Sequence, residues 1–132
     1  MVAVSKHGRR ALFWLAQTPV GRLLTGRILT HMSFMLPVDR LRETETLLAF
    51  HHPSPSYPLH ILLVPRRNLH TLSDLSPADA DFMIDLFQTV KSLVAEFDLE
   101  AAGYRLIANG GPYQDVPHLH FHLVSGSSSS DP

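Results

Sequence analysis

Three histidines alternate with apolar residues near the carboxyl end of the chain. His118, His120 and His122 are separated by Leu119 and Phe121. In a β-strand this alternation places the three imidazoles on one face, with neighbours about 7 Å apart along the chain. Three titratable rings in one row are a poor way to fill a core, so the sequence predicts a functional site here.

Two kinds of chemistry fit this row of histidines. Imidazoles two residues apart on a strand can bind zinc or iron, usually together with a carboxylate or another imidazole. Alternatively, a neutral imidazole attacks an electrophile such as phosphorus, while a protonated imidazole pair stabilises the charge that develops on oxygen. The residues of the row leave both interpretations open.

Composition excludes several other classes of protein. The chain has nine histidines but no cysteine, so neither a disulfide framework nor a cysteine-based zinc site is possible. A net charge of −1 gives no global attraction to nucleic acid. There is no GxxxxGK[ST] loop and no acidic cluster for magnesium. We therefore expect a cytoplasmic protein that uses no metal, no cofactor and no nucleic-acid partner.

The first 36 residues form a separate basic extension. Residues 1–38 contain five basic residues and no acidic residue, and their glycines and proline predict two short helices. Three interpretations remain open for this extension. It packs on the domain or on a second subunit, it contacts a membrane surface peripherally, or it is an organellar presequence.

The elements that position the histidines follow from periodicity. Strands are expected at Val38–Arg42, Thr46–Phe50, His60–Val64, Tyr104–Ala108 and Leu119–Val124. Ser76, Pro77 and Asp79 predict the start of a helix, which an apolar stripe from Phe82 to Phe97 continues. Three strands, one long helix and two strands indicate an α+β fold with a mostly antiparallel sheet. The domain is expected at 37–126, followed by a disordered tail at 127–132.

The row and its context resemble the histidine triad (HIT) superfamily. Pro117 to Val124 fits its His-x-His-x-His signature with apolar x, and four further segments resemble that family's segments in order and spacing: Ala49–His51, Pro58–Arg67, Gly103–Asn109 and Gln114–Val116. The resemblance looks closest to the Hint-like branch of nucleoside phosphoramidases and nucleotide-binding proteins. It implies a five-stranded antiparallel sheet with one long helix, a homodimer and a purine nucleotide substrate.

The resemblance also implies roles for individual residues. It makes His120 the nucleophile that forms a covalent nucleotidyl-histidine, with the leaving group either an amine or a nucleotide. His122 lies beside the phosphate, His118 orients the row, and His60 joins the site from a neighbouring strand. Five more positions complete the implied site: Gln114 near the leaving atom, Asn109 at sugar or phosphate, Phe50 at the base or in the core, and the departures His52 and Asp115.

These two departures change the chemistry at the edge of the implied site. The family usually has an aspartate for the ribose hydroxyls where this chain has His52, and the branch often has serine where it has Asp115. Asp115 either tunes the choice of leaving group or caps the turn after Gly110 and Gly111. The alternatives for the whole protein are a non-catalytic nucleotide-binding module and a histidine-ligated metal protein.

Overall fold

The computed structural model describes residues 40–128, which contain one five-stranded antiparallel sheet. The predicted basic extension 1–36 and most of the predicted tail lie outside these residues. The strands are β1 (Arg40–Glu43), β2 (Leu47–His51), β3 (Leu59–Pro65), β4 (Arg105–Ala108) and β5 (Phe121–Ser125). Their order in the sheet is β1-β2-β3-β5-β4. The predicted α+β class with an antiparallel sheet is confirmed.

One long helix, α1 (Ala80–Glu96), packs on one face of the sheet. Its stripe of Phe82, Leu86, Val90 and Leu93 is buried in the core together with Ile61 and Leu63 of β3 and Leu123 of β5. A short helix, α2 (Leu99–Ala102), follows it. Because side chains alternate along a strand, His60 of β3 and His122 of β5 lie on the opposite face.

The start of the long helix follows the predicted local rules. A 3-10 turn at Pro77–Asp79 leads into α1, and the Ser76 side chain accepts a hydrogen bond from the backbone N–H of Ala78 at 3.2 Å. The Asp79 carboxylate accepts from the backbone N–H of Ser76 at 3.1 Å, which completes a capping box. Asp79 also pairs with Arg67 at 2.8 Å. This arginine is therefore engaged at the helix start.

The face of the sheet that carries His60 and His122, which we call the histidine face, has a row of side chains that crosses four strands. Phe50 is opposite Leu62, Leu62 is opposite His122, and His122 is opposite Ile107. The run Ile61–Val64 is fully buried in β3, as its composition predicts, because β3 is the central strand. The sheet edges are β1 and β4.

The last strand begins later than predicted. We expected Leu119–Val124, but β5 starts at Phe121, so His118 and His120 precede the strand. The partner strand β3 ends at Pro65, which has no N–H to continue the ladder. The N–H of Leu119 instead donates to the carbonyl of Leu69, beyond the end of β3, at 2.8 Å. The three histidines therefore do not form one flat row on a strand.

Candidate active site

Four imidazoles gather on the histidine face of the sheet. The ring centroids of His52 and His60 are 4.2 Å apart, those of His60 and His122 are 5.1 Å apart, and those of His122 and His120 are 5.0 Å apart. His60 and His122 come from neighbouring strands and are diagonal partners across the β3–β5 ladder. The sheet thus joins two stretches of chain some 60 residues apart into one cluster, which we call the imidazole cluster.

His120 is held in one tautomer by the main chain. Its Nδ1 lies 2.7 Å from the carbonyl oxygen of His118. Because a carbonyl only accepts, Nδ1 carries the proton and Nε2 keeps its lone pair in the neutral ring. The tautomer suits Nε2 for nucleophilic attack.

His60 and His122 form a hydrogen-bonded pair, and a hydrogen bond from the main chain to Nδ1 of His60 fixes the tautomers of both rings. The backbone N–H of Ser56 donates to Nδ1 of His60 at 3.0 Å, so the proton of neutral His60 is on Nε2. This Nε2 lies 2.8 Å from Nδ1 of His122, which must accept, and the proton of His122 is therefore on Nε2. Nε2 of His122 is buried and has no hydrogen-bond partner within residues 40–128. A buried N–H of this kind is satisfied when a substrate oxygen reaches it, which is worth about 1–3 kcal/mol.

Three imidazoles of the cluster, those of His52, His60 and His122, are neutral at pH 7 in the free protein. Burial lowers the pKa of His60 to about 4, and burial together with the neighbouring His120 and His60 lowers that of His122 to about 4. Burial, followed by the charges of His60, His122 and His120, lowers the pKa of His52 to about 3. The protonated imidazole pair expected to stabilise developing charge is therefore absent from His60 and His122 in the free protein, because desolvation disfavours the cation. Neutral N–H groups face the site instead.

His118 serves through its backbone more than through its ring. The ring is almost fully buried, and its Nε2 donates to the carbonyl of Pro65 at 3.1 Å. Burial lowers its pKa, and the bond to Pro65 only partly opposes this. The contact with His120 is made by the carbonyl oxygen of His118, so its ring anchors the segment while its backbone orients His120.

The loop before the histidines is clamped by Gln114. Its side-chain nitrogen donates to the carbonyl of His70 at 2.6 Å and to that of Val116 at 3.0 Å. Nδ1 of His70 in turn donates to the carbonyl of Pro117 at 2.9 Å. Both amide hydrogens of Gln114 are thus bound to main-chain carbonyls, so its side chain ties this loop to the segment that contains His70.

The other predicted site residues occupy the margin of the cluster. Asn109 follows β4 directly, and the last pair of the β4–β5 ladder, Ala108 with Phe121, is one residue from Asn109 on one strand and one residue from His120 on the other. Phe50 is 5% exposed and lies on the histidine face directly opposite Leu62. This position fits both interpretations of Phe50, as a core residue and as a contact for the base. Asp115 is exposed, and no hydrogen bond or ion pair of residues 40–128 involves its carboxylate. The predicted capping of the Gly111–Tyr113 turn by Asp115 is therefore not observed.

Three histidines of the cluster could in principle hold a metal ion. His52, His60 and His122 each offer a nitrogen, and these atoms lie within 4.8 Å of one another. A ligating imidazole normally donates its other N–H to an acceptor. Here the distal nitrogens of His52 and His60 accept from the backbone N–H groups of Ser54 and Ser56. This arrangement favours imidazoles that present N–H groups over imidazoles that bind a cation.

The two serine N–H groups are functional features that the sequence analysis missed. The loop reads Pro53-Ser54-Pro55-Ser56-Tyr57-Pro58. Because proline has no N–H, Ser54, Ser56 and Tyr57 supply the only main-chain donors of this loop. The alternation of proline and serine was the available signal.

Comparison with known proteins agrees with this geometry. The family model described as HIT domain matches residues 35–129. The chain belongs to the HIT family. An uncharacterized HIT-like protein of Synechococcus elongatus is 35% identical over 99 residues, which cover 74% of this chain and 86% of that protein. A 13.2 kDa HIT-like protein of Azospirillum brasilense is 35% identical over 94 residues, covering 69% of this chain and 77% of its own.

Solved structures of HIT proteins share the fold. A HIT family hydrolase from Legionella pneumophila superposes with a TM-score of 0.69 at 27% identity, covering 80% of this chain and 96% of that one. A HIT family hydrolase from Clostridium thermocellum has the same TM-score and identity, covering 83% and 93%. The chain therefore has the fold of HIT family hydrolases. No helix within residues 40–128 is long and apolar enough to cross a membrane.

Proposed function

We propose that this HIT protein hydrolyses a nucleoside monophosphate from its leaving group through a nucleotidyl-His120 intermediate. The observation that carries this proposal is the tautomer of His120, whose Nδ1–H is bound to the carbonyl of His118 so that Nε2 is a free nucleophile. His122 lies beside it, with ring centroids 5.0 Å apart, and presents an N–H rather than a second lone pair.

The reaction proceeds in two steps, transfer of the nucleotidyl group to His120 and its hydrolysis. In the first, the Nε2 lone pair of His120 attacks phosphorus, the bond from phosphorus to the leaving atom breaks, and the leaving group departs with that electron pair and takes up a proton. In the second, water attacks the same phosphorus and loses a proton, the N–P bond breaks, and His120 regains its lone pair as the nucleoside monophosphate is released. Two easier steps replace one difficult displacement.

The cluster supports charge stabilisation without a metal. The Nε2–H of His122 donates to a non-bridging oxygen and recovers the cost of its burial. An anionic phosphate beside the neutral rings raises their pKa, so an imidazole becomes a better proton donor as negative charge develops. In this proposal Asn109 contacts the phosphate or the sugar, which is supported by its position next to the end of the β4–β5 ladder from which His120 also follows.

Substrate class follows from this constellation together with the family. We assign a purine nucleotide joined to an amine or to a second nucleotide through phosphate, and a homodimer in the cytoplasm. The dimer is supported by Ile84 and Phe87 of α1, both 63% exposed, and by the free edge of β4. The central run Ile61–Val64, which we expected to need a partner, is already covered within the chain.

Turnover of two substrates tests this function directly. Adenosine phosphoramidate and diadenosine polyphosphates are incubated with the protein, and release of adenosine monophosphate is followed by chromatography. We expect release from at least one of them, and its loss in His120→Ala. Nucleotide that stays bound and intact after prolonged incubation would contradict hydrolysis and favour the non-catalytic binding module.

A further inference from the structure

His52 is built into the imidazole cluster although it lies just beyond a strand. Its backbone N–H donates to the carbonyl of His60 at 2.8 Å, which extends the β2–β3 ladder by one pair. The two side chains are therefore directly opposed, and their rings stack with centroids 4.2 Å apart and planes 29° apart. Both residues are 6% exposed.

Two parallel hydrogen bonds from one loop fix both rings. Ser54 N–H donates to Nδ1 of His52 at 2.9 Å, and Ser56 N–H donates to Nδ1 of His60 at 3.0 Å. Each bond requires a lone pair on Nδ1, so each neutral ring carries its proton on Nε2. A second proton on either ring would set an N–H against a backbone N–H.

We propose that His52 is a positioning residue, whose fixed neutral ring holds His60 in the tautomer that keeps the Nε2–H of His122 directed to the substrate. The Ser56 N–H binds the lone pair on Nδ1 of His60, and the ring of His52 packs against the same imidazole with centroids 4.2 Å apart. His60 then donates to Nδ1 of His122 at 2.8 Å, and the only proton of His122 stays on Nε2. The consequence for turnover rests on the proposed function, whereas the tautomers belong to the free protein.

Within residues 40–128, the groups that face His60 come from three elements, and none of these groups is an acid. His52 stacks on it from the end of β2, Tyr57 of the loop meets it edge-on at 5.5 Å, and His122 of β5 bonds to it. His122 also faces His120. Among residues 40–128, the charges that act on His52 and His122 are imidazoles, and each acts against a proton. Replacing the neutral ring of His52 by a carboxylate would place a negative charge beside His60.

Imidazole nitrogen spectra test the inference without any substrate. The full-length protein labelled with ¹⁵N is titrated from pH 8 to pH 4, and the ring nitrogens are observed by long-range proton–nitrogen correlation. We expect unprotonated Nδ1 and protonated Nε2 in His52 and His60, with no titration of His60 or His122 above about pH 5. In His52→Asp the titration of His60 should move up by about 1–3 pH units.

Two further variants separate position from charge. His52→Phe keeps a stacked ring without a proton site, and its His60 should remain neutral as in the wild type. His51→Phe is the matched control, because His51 points to the other face and meets Phe97 edge-on, so its spectra should equal those of the wild type. If His52→Asp fails to fold, His52→Asn should still broaden or mix the tautomers of His60 and His122.

The outcomes distinguish this inference from the proposed function. Titration of His60 and His122 near pH 6.5 in the wild type, or unchanged spectra in both His52→Asp and His52→Asn, would overturn the positioning role. Expected spectra in a protein that releases no monophosphate would overturn hydrolysis and leave the positioning role standing. If the protein turns over substrate, the fall of kcat/KM at acidic pH should begin at a higher pH in His52→Asp than in the wild type.

Discussion

The Nδ1 atom of His120 lies 2.7 Å from the carbonyl oxygen of His118, two residues earlier in the same chain. This hydrogen bond determines which ring nitrogen of His120 carries the proton. A ring that must donate from Nδ1 keeps its Nε2 lone pair for the substrate. The nucleophile is thus prepared by the irregular segment that precedes β5, where the main chain is not committed to the sheet ladder.

Removal of this nucleophile should abolish turnover while preserving binding. His120→Ala is expected to lose on the order of 10³-fold or more in kcat, because the other three rings of the imidazole cluster carry their proton on Nε2. Nucleotide affinity, measured by calorimetry, should change little. Retention of half the wild-type rate would show that the covalent mechanism is wrong.

Asp115 should influence the leaving group and not the nucleophile. Its exposed carboxylate has no partner among residues 40–128, and repulsion by an ionised carboxylate disfavours nearby phosphate. Asp115→Ser should therefore raise kcat/KM for an amine leaving group relative to a phenolate. Glu100→Ser removes another exposed carboxylate, on α2, and serves as the control. An equal ratio in wild type and Asp115→Ser would remove this residue from the mechanism.

Acid should destabilise the protein through the neutral imidazoles. The pKa of His52 is lowered to about 3 and those of His60 and His122 to about 4, whereas the unfolded value is 6.5. The unfolded state then binds more protons, so the stabilisation is complete above pH 6.5 and is lost as the pH falls towards 4. We expect the free energy of unfolding in urea to fall by about 1–2 kcal/mol per ring between pH 7 and pH 5.

The same experiment on His52→Phe provides the comparison for this pH dependence. Removing one of the three neutral rings should make the loss of stability between pH 7 and pH 5 shallower. A wild-type protein that is equally stable at both values would contradict neutral imidazoles in the cluster.

Association should depend on the exposed apolar face of α1. Phe87→Glu places a charge on the patch formed with Ile84 and should turn the expected homodimer into a monomer in sedimentation at micromolar concentration. Leu72→Glu is the matched control, since Leu72 is an exposed leucine at 52% in a 3-10 turn away from α1. A wild-type protein that is only monomeric would count against the dimer.

Local features of this fold could be predicted from the sequence because their causes are local. Ser76 and Asp79 specify the start of the long helix through hydrogen bonds within four residues. The last strand was predicted two residues too early, because its length depends on where Pro65 ends the partner strand. No pattern around His118 carries that information.

The protonation state of the site could not be predicted from the sequence, because it depends on parts of the chain that are distant in sequence. Alternation of histidines indicated a reactive row, but the imidazolium pair expected from it requires solvent that burial removes. The donors that fix His52 and His60 come from the backbone of Ser54 and Ser56. Main-chain donors cannot be identified from residue types. The sequence shows only where proline removes one, because proline has no N–H.

A metal in the cluster can be tested on purified protein. The distal nitrogens of His52 and His60 accept hydrogen bonds where a metal site would need donors, so we expect less than one zinc per ten chains by elemental analysis. His60→Ala should leave this content unchanged. Stoichiometric zinc that is lost in His60→Ala would favour the histidine-ligated metal protein.

The basic extension should be dispensable for the chemistry. The four histidines of the imidazole cluster all lie within residues 40–128, and five basic side chains at about 1 kcal/mol each can hold a protein reversibly at an anionic membrane. A chain that begins at Pro37 is compared with the full chain for turnover and for flotation with anionic vesicles. We expect equal turnover and weaker flotation. Loss of turnover in a folded shortened chain would assign the extension to the substrate pocket.

Intact-mass analysis of the enzyme during turnover tests the covalent intermediate most directly. The protein is mixed with adenosine phosphoramidate, quenched within milliseconds to seconds, and its mass is compared with that of the free chain, followed by peptide mapping. We predict the added mass of one adenylyl group on the peptide that contains His120, and no adduct in His120→Ala. Rapid release of monophosphate with no adduct at any quench time, or an adduct on another residue, would contradict nucleophilic catalysis by His120.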